Sequence, residues 1–202
     1  MAIIRQYKLK IILGLMLCMM SITICAKDEF RIIDYRLGLN SGTINHIVFD
    51  KQGFAWLSTP DGIIRYDGVL FYPYTHQSGN DHSLYNNNVI KTLPATCGMW
   101  IGAGNALQYY DYHTGKFYIE QYIDSNGKVS KINQDRIISL FRLGDKIFAT
   151  DNKGYMYGKQ EDEQFFSLLQ KGVYSLCPIG KSKMAGLRKM DSIFSPQMAE
   201  RS

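Results

Sequence analysis

The residues that could do chemistry are few and scattered. Histidines stand at 46, 76, 82 and 113, with no His-x-x-His, no closely spaced Cys pair and no Asp-x-Asp-x-Asp loop to assemble a metal site. No glycine loop for phosphate, dinucleotide fingerprint or Gly-x-Ser-x-Gly elbow is present. Asp61 and Asp81 are too loosely placed to be argued as a catalytic carboxylate pair. Catalytic, metal-binding and cofactor-binding residues are therefore expected to be none, and any ligand-binding residues are unassigned. Trp56 and Trp100 offer aromatic faces that suit carbohydrate rings, but their place in a repeated strand favours core packing, and Tyr66 and Tyr110 share both readings. Asp67 and Asp111 read as caps of local turns, with ligand or metal contact as the alternative. Asn86-Asn87-Asn88 reads as a turn, with a ligand loop as the alternative.

These residues sit in an element that recurs. Residues 53–68 hold two apolar runs, Phe54–Leu57 and Ile63–Tyr66, joined by Thr59-Pro-Asp-Gly62. Pro60 presets φ and Gly62 supplies φ > 0, so the chain reverses there. Trp56 and Trp100 stand 44 residues apart, as do Asp67 and Asp111. A weaker copy starts at Ile132, with Ile147 in the tryptophan's place, and a fourth starts at Val173. A period of about 40–45 residues with four short strand-like runs is the sign of propeller blades. Helical solenoids share the period but would show a 3.6-residue apolar rhythm. Here the runs are short, β-branched and aromatic, and punctuated by Gly, Asn and Asp. The expected fold is all-β, with about three four-stranded antiparallel blades and part of a fourth, an incomplete propeller. The blades are expected over 44–74, 89–122, 137–168 and 173–186.

Asp50-Lys-Gln-Gly-Phe-Ala-Trp-Leu-Ser-Thr59 and Gly62-Ile-Ile-Arg-Tyr-Asp67 resemble the two-component regulator propeller repeat of hybrid two-component sensors. The second copy keeps Trp100-Ile-Gly102 and Tyr110-Asp111, but Pro94-Ala-Thr-Cys-Gly98 replaces the Asp-x-x-Gly. The similarity covers about residues 30–186. It implies a periplasmic sensor region, which in the family comprises two propellers and a β-sandwich ahead of a membrane helix, a histidine kinase, a receiver and a DNA-binding module. No run of about 18 apolar residues follows the propeller start. The chain is thus expected to be the N-terminal, ligand-sensing piece of such a sensor, a truncated form, with kinase activity belonging to the absent part. The resemblance implies an oligosaccharide ligand, and does not mark which residues contact it.

Residues 1–26 read as an export signal, with Arg5, Lys8 and Lys10 before the apolar Ile11–Ile24 and cleavage after Ala26. An uncleaved membrane anchor is one alternative. A lipoprotein acylated at Cys18 or Cys25 is another, disfavoured by the bulky Leu17 and Ile24. The net charge is +5, yet removing the three basic residues of the signal leaves 20 against 18 acids, spread without a basic stripe. No nucleic-acid surface is expected. Contact with a membrane is expected only through an uncleaved signal. Cys97 and Cys177 fall in the second and fourth repeats and are expected as two buried thiols rather than a bridge. Phe30–Tyr35 has the pattern of a strand that would complete a last blade. Glu161-Asp-Glu163 reads as a solvated hairpin tip, and 187–202 as an irregular or truncated tail.

An open arc of three and a half blades should seek a partner, either the remaining blades or a second copy of the chain. The leading expectation is a periplasmic sensor segment that is not an enzyme. Alternatives of other classes are an exported polysaccharide lyase or hydrolase, which would need a convergent His, Arg and Tyr cluster, and a protein-interaction scaffold.

Overall fold

The computed structural model describes residues 38, 39, 41–179 and 183–188, and Lys10. The chain divides into a unit over Met1–Ile32 and a unit over Ile33–Ser202, and the fold described here is that of the second. The expected export signal and the expected strand Phe30–Tyr35 lie outside the described residues, as does nearly all of the expected tail.

The described part is all-β. The first sheet is an antiparallel meander of β1 (His46–Phe49), β2 (Ala55–Thr59), β3 (Gly62–Tyr66) and β4 (Phe71–Tyr74). The second repeats it with β5 (Val89–Pro94), β6 (Gly98–Ala103), β7 (Ala106–Asp111) and β8 (Lys116–Ile119). The third holds β11 (Ile137–Leu143), β12 (Lys146–Asp151), β13 (Met156–Gln160) and β14 (Phe166–Gln170). A hairpin of β9 (Gln121–Ile123) and β10 (Val129–Lys131) extends its outer edge, so the third sheet has six strands. A fourth sheet has two, β15 (Val173–Ile179) and β16 (Lys183–Arg188). These are propeller blades that do not close a ring.

Alternation along the strands gives each blade two apolar faces, and stacking the blades buries them. Trp56, Ile63, Met99, Ile101, Tyr110 and Phe117 form the core between the first and second sheets. Trp100, Leu107, Ile137, Ile147, Ala149 and Phe166 form that between the second and third. Phe141, Phe148, Met156, Val173 and Leu176 form that between the third and fourth. Trp56 and Trp100 are buried, so both take the packing role, and truncating such a side chain to Ala costs about 3–5 kcal/mol.

The structure corrects the expected register and strand bounds. Ile147 packs in the same core as Trp100, whereas Trp56 and Trp100 each face the next sheet along. Phe148, which pairs with Phe141 and Gly158, fills that place. In a strand, a slip of one residue moves a side chain to the opposite face. Residues 121–131 form a hairpin whose β9 lies parallel to β14, with Tyr122 beside Phe166; the second blade, expected to run to 122, therefore ends its last strand at Ile119. Strand β4 starts only at Phe71, because Asp67 Oδ1 accepts the N–H groups of Val69 and Leu70 at 2.8 and 2.7 Å and bends them into a turn. The strand expected to stop at Gly186 continues to Arg188.

One five-residue loop is used three times. Asp50, Asp124 and Asp151 each donate their N–H to the carbonyl four residues on, and accept the N–H of the glycine three residues on at their own carbonyl. Each also takes two backbone N–H groups on Oδ1. The glycines, Gly53, Gly127 and Gly154, have φ of 86°, 78° and 83°, a region that L side chains rarely enter. In the first blade the loop joins β1 to β2. In the third it joins β12 to β13, at the opposite end of the blade.

Candidate functional site

In both blade-turning copies the aspartate's second oxygen anchors an aromatic residue six positions on. Asp50 Oδ2 accepts the Trp56 indole N–H at 2.7 Å, and Asp151 Oδ2 accepts the Tyr157 hydroxyl at 2.9 Å. Burial pushes the Asp151 carboxyl above its ordinary range, against the opposing pull of the Tyr155 N–H and the Tyr157 hydroxyl. The Tyr157 phenol is pushed up in turn by its own burial and by the Asp151 charge, so it stays a donor.

This second loop forms one wall of a polar cleft of about 100 Å³, faced by Ile132–Asp135, which leads into β11. Tyr122 closes it from the added hairpin, with its ring 5.2 Å from that of Tyr157. Tyr155 lies 6.4 Å from Tyr157 in a stacked arrangement. Lys153 Nζ is 3.0 Å from Asp135 Oδ1 across the cleft, Lys131 also lines it, and Lys171 Nζ stands 5.2 Å over the Tyr155 ring. The segments are tied down at their base: Glu120 donates its N–H to Leu107 O and Leu107 donates to Ile132 O, both at 2.9 Å. The arrangement carries aromatic faces, amide groups of Asn133 and Gln134, and ammonium groups, a set able to stack on and hydrogen-bond to a hydroxylated ligand.

None of the residues singled out in the sequence lines this cleft. Trp56 lies between the rings of Tyr74 and Tyr112, at 5.7 and 5.8 Å. Tyr110 is buried beside it, and its hydroxyl meets that of Tyr74 at 3.4 Å, while Tyr66 stacks on Phe71 and donates to Gly68 O. Asp67 and Asp111 hold turn N–H groups; those of Leu70 and Val69 keep the Asp67 carboxyl below its usual range. Asn86 Oδ1 and Asn87 Oδ1 accept the N–H groups of Asn88 and His76, making turns. Asp61 and Asp81 are exposed in separate loops.

The histidines are not brought together, and among the described residues no three His, Cys, Asp or Glu side chains converge for a metal. His76 Nδ1 meets Leu84 O and His82 packs on Tyr118. His46 and the Thr92 hydroxyl link the first two blades at 3.3 Å. Cys97 and Cys177 are free and exposed rather than buried, because one sits in the β5–β6 turn and the other on the outward side of β15. Glu161 is no freely solvated tip: it accepts the Thr96 N–H and pairs with Arg142 at 2.8 Å, joining the second and third blades.

Trp100 lacks the aspartate that Trp56 has. Its indole N–H meets no acceptor at hydrogen-bonding geometry among the described residues, yet it lies near enough to Glu120 to draw that carboxyl's pKa downward. We take the indole as close to Glu120 but imperfectly aligned. Glu120 and Lys159 form a nearly buried ion pair at 3.2 Å beside it, and Lys159 Nζ stands 5.1 Å over the Phe166 ring. Burial pushes the Glu120 carboxyl up, against the Lys159 charge.

Protein-family models and curated proteins give no match to the chain. Solved structures do. The extracellular domain of the hybrid two component system BT3049 from B. thetaiotaomicron superposes with a TM-score of 0.63 at 19% identity, over 77% of this chain and 23% of that one. The chain has the fold of a part of that domain. The extracellular domain of the one component system BT4673 from the same organism gives 0.57 at 14% identity, over 80% of this chain and 25% of its own. The chain therefore spans about a quarter of the length of these neighbours. Among the described residues no helix is long and apolar enough to cross a membrane.

Proposed function

We propose that this chain is a ligand-sensing propeller segment of an exported, periplasmic two-component sensor, taking an oligosaccharide as its signal. The observation that carries the reading is the fold shared with the extracellular domain of the hybrid two component system BT3049. The tyrosine-lined cleft on the third blade supports it, since aromatic faces and amides are what sugar rings bind. Signalling then follows from a population shift: a ligand that contacts one arrangement of the blades better than another moves the equilibrium by that difference in affinity. The open first and fourth sheets would be covered by further blades or by a second copy of the chain, and residues 1–26 would direct export.

Thermal unfolding of the full chain against a panel of plant and host glycan oligosaccharides tests this. One glycan class should raise the midpoint progressively with the logarithm of its concentration, the stabilisation reaching about 2.7 kcal/mol at a hundredfold excess over Kd, with the glycan recovered intact. Turnover of the glycan, or no shift with any class, would overturn the reading.

A further inference from the structure

Resting on that sensing role, we propose that the third-blade cleft is a subsite for an acidic, carboxylate-bearing sugar, held on Tyr122 and Tyr155 with its carboxylate toward Lys131 and Lys153. The argument is one of which charges are already used. A cleft selective for neutral sugars usually offers carboxylates whose open lone pairs take hydroxyl protons. Here Asp151 has two backbone N–H groups on one oxygen and the Tyr157 hydroxyl on the other. Asp135, largely covered, is neutralised by the exposed Lys153. Among the described residues Lys131 and Lys171 have no carboxylate partner, so the uncommitted charge at the cleft is positive. Lys153 keeps two further ammonium protons beyond the one aimed at Asp135. Tyr157 is committed to Asp151, which leaves the half-buried Tyr122 and Tyr155 as the ring-stacking faces. Asn133 and Gln134 remain for hydroxyl groups.

The test is calorimetric titration of the full chain with galacturonate trimer, maltotriose and acetate. The acidic trimer should bind, more weakly at high salt, and acetate should not compete at equal concentration. Substituting both exposed lysines (K131A with K153A) should weaken it about tenfold, the size expected of two solvent-screened ion pairs. Tyr155→Ala should weaken it as well. Asp135→Asn keeps Lys153 and deletes the opposing charge, so it should tighten binding; a merely structural Asp135 would do the reverse. Unchanged affinity in the lysine double variant, or equal competition by acetate, would overturn the subsite. Binding of maltotriose alone would overturn it while leaving saccharide sensing in place. Silence with both trimers and with the whole glycan panel would remove both readings.

Discussion

Replacing Asp50 with Asn asks whether the Asp-x-x-Gly loop holds the first tryptophan. Asp50 is 8% exposed; Oδ1 takes the N–H groups of Gln52 and Phe54 at 3.0 Å each, and Oδ2 takes the Trp56 indole at 2.7 Å. Asn has one carbonyl. If it serves the backbone, its NH2 faces the indole N–H, donor against donor, where water is excluded. If it flips, two backbone donors lose their acceptor. Losing a hydrogen bond to a charged acceptor costs about 1.5–3 kcal/mol, so D50N should cost about 2–3 kcal/mol, or roughly 4–12 °C in a chain of this size. Trp56→Phe removes the indole donor. In that background D50N should cost less by about 1–2 kcal/mol, a coupling that a four-member double-mutant cycle isolates. Urea and thermal unfolding followed by circular dichroism give the four stabilities, and in W56F the fluorescence of Trp100 reports the neighbouring core alone. An equal cost in both backgrounds, or a D50N cost below about 0.5 kcal/mol, would refute the reasoning.

Lys159→Met should cost about 3–5 kcal/mol by stranding the Glu120 carboxylate, and adding Glu120→Gln should recover most of that; chemical unfolding of the two variants beside the parent chain checks it. Burial, then the Lys91 charge, lowers the His46 pKa below 6.5. The unfolded chain therefore binds the proton more readily, and stability should fall as pH drops through 6.5 toward the folded value. His46→Gln should flatten that slope in a melting-temperature profile from pH 7.5 to 5. A Cβ on Gly98 would run into Tyr110 O and the Tyr109 ring. Gly98→Ala should thus cost about 3 kcal/mol or more by overpacking, read as a lower urea midpoint.

The first two blades were legible because each sets a tryptophan, a two-residue turn and a Tyr-Asp at one phase, and their strands pair accordingly. The third was misread by one residue. Its β11–β12 connection is a tight turn, with Leu143 opposite Lys146, and Ile147 holds the tryptophan's distance from that turn but not its face. Only the observed register, with Phe148 against the fourth sheet, separates the two. The β9–β10 hairpin had a signal that went unread, Asn126-Gly127 between short apolar runs. Glu161 was misread because a hairpin tip is solvated only when no neighbouring blade reaches it, and the Thr96 N–H of the second blade does.

The cleft was invisible for a related reason, and the reason bears on what it is for. Asp151-Asn-Lys-Gly-Tyr-Met-Tyr157 has the pattern of Asp50-Lys-Gln-Gly-Phe-Ala-Trp56, an aspartate, a glycine three on and aromatics four and six on. Read as a repeat element it belongs between the first and second strands of a blade, where its aromatic serves the core. The third blade carries it one hairpin later, at the opposite end, and there its fifth position, Tyr155, packs at the edge of the core and also lines a cleft. The added hairpin brings Tyr122 to the same place. Two departures from the repeat thus converge on one set of side chains. Where local structure breaks its own pattern in a consistent direction, function is the expected cause. That convergence, more than the cleft's size, is what supports the ligand subsite proposed on the third blade.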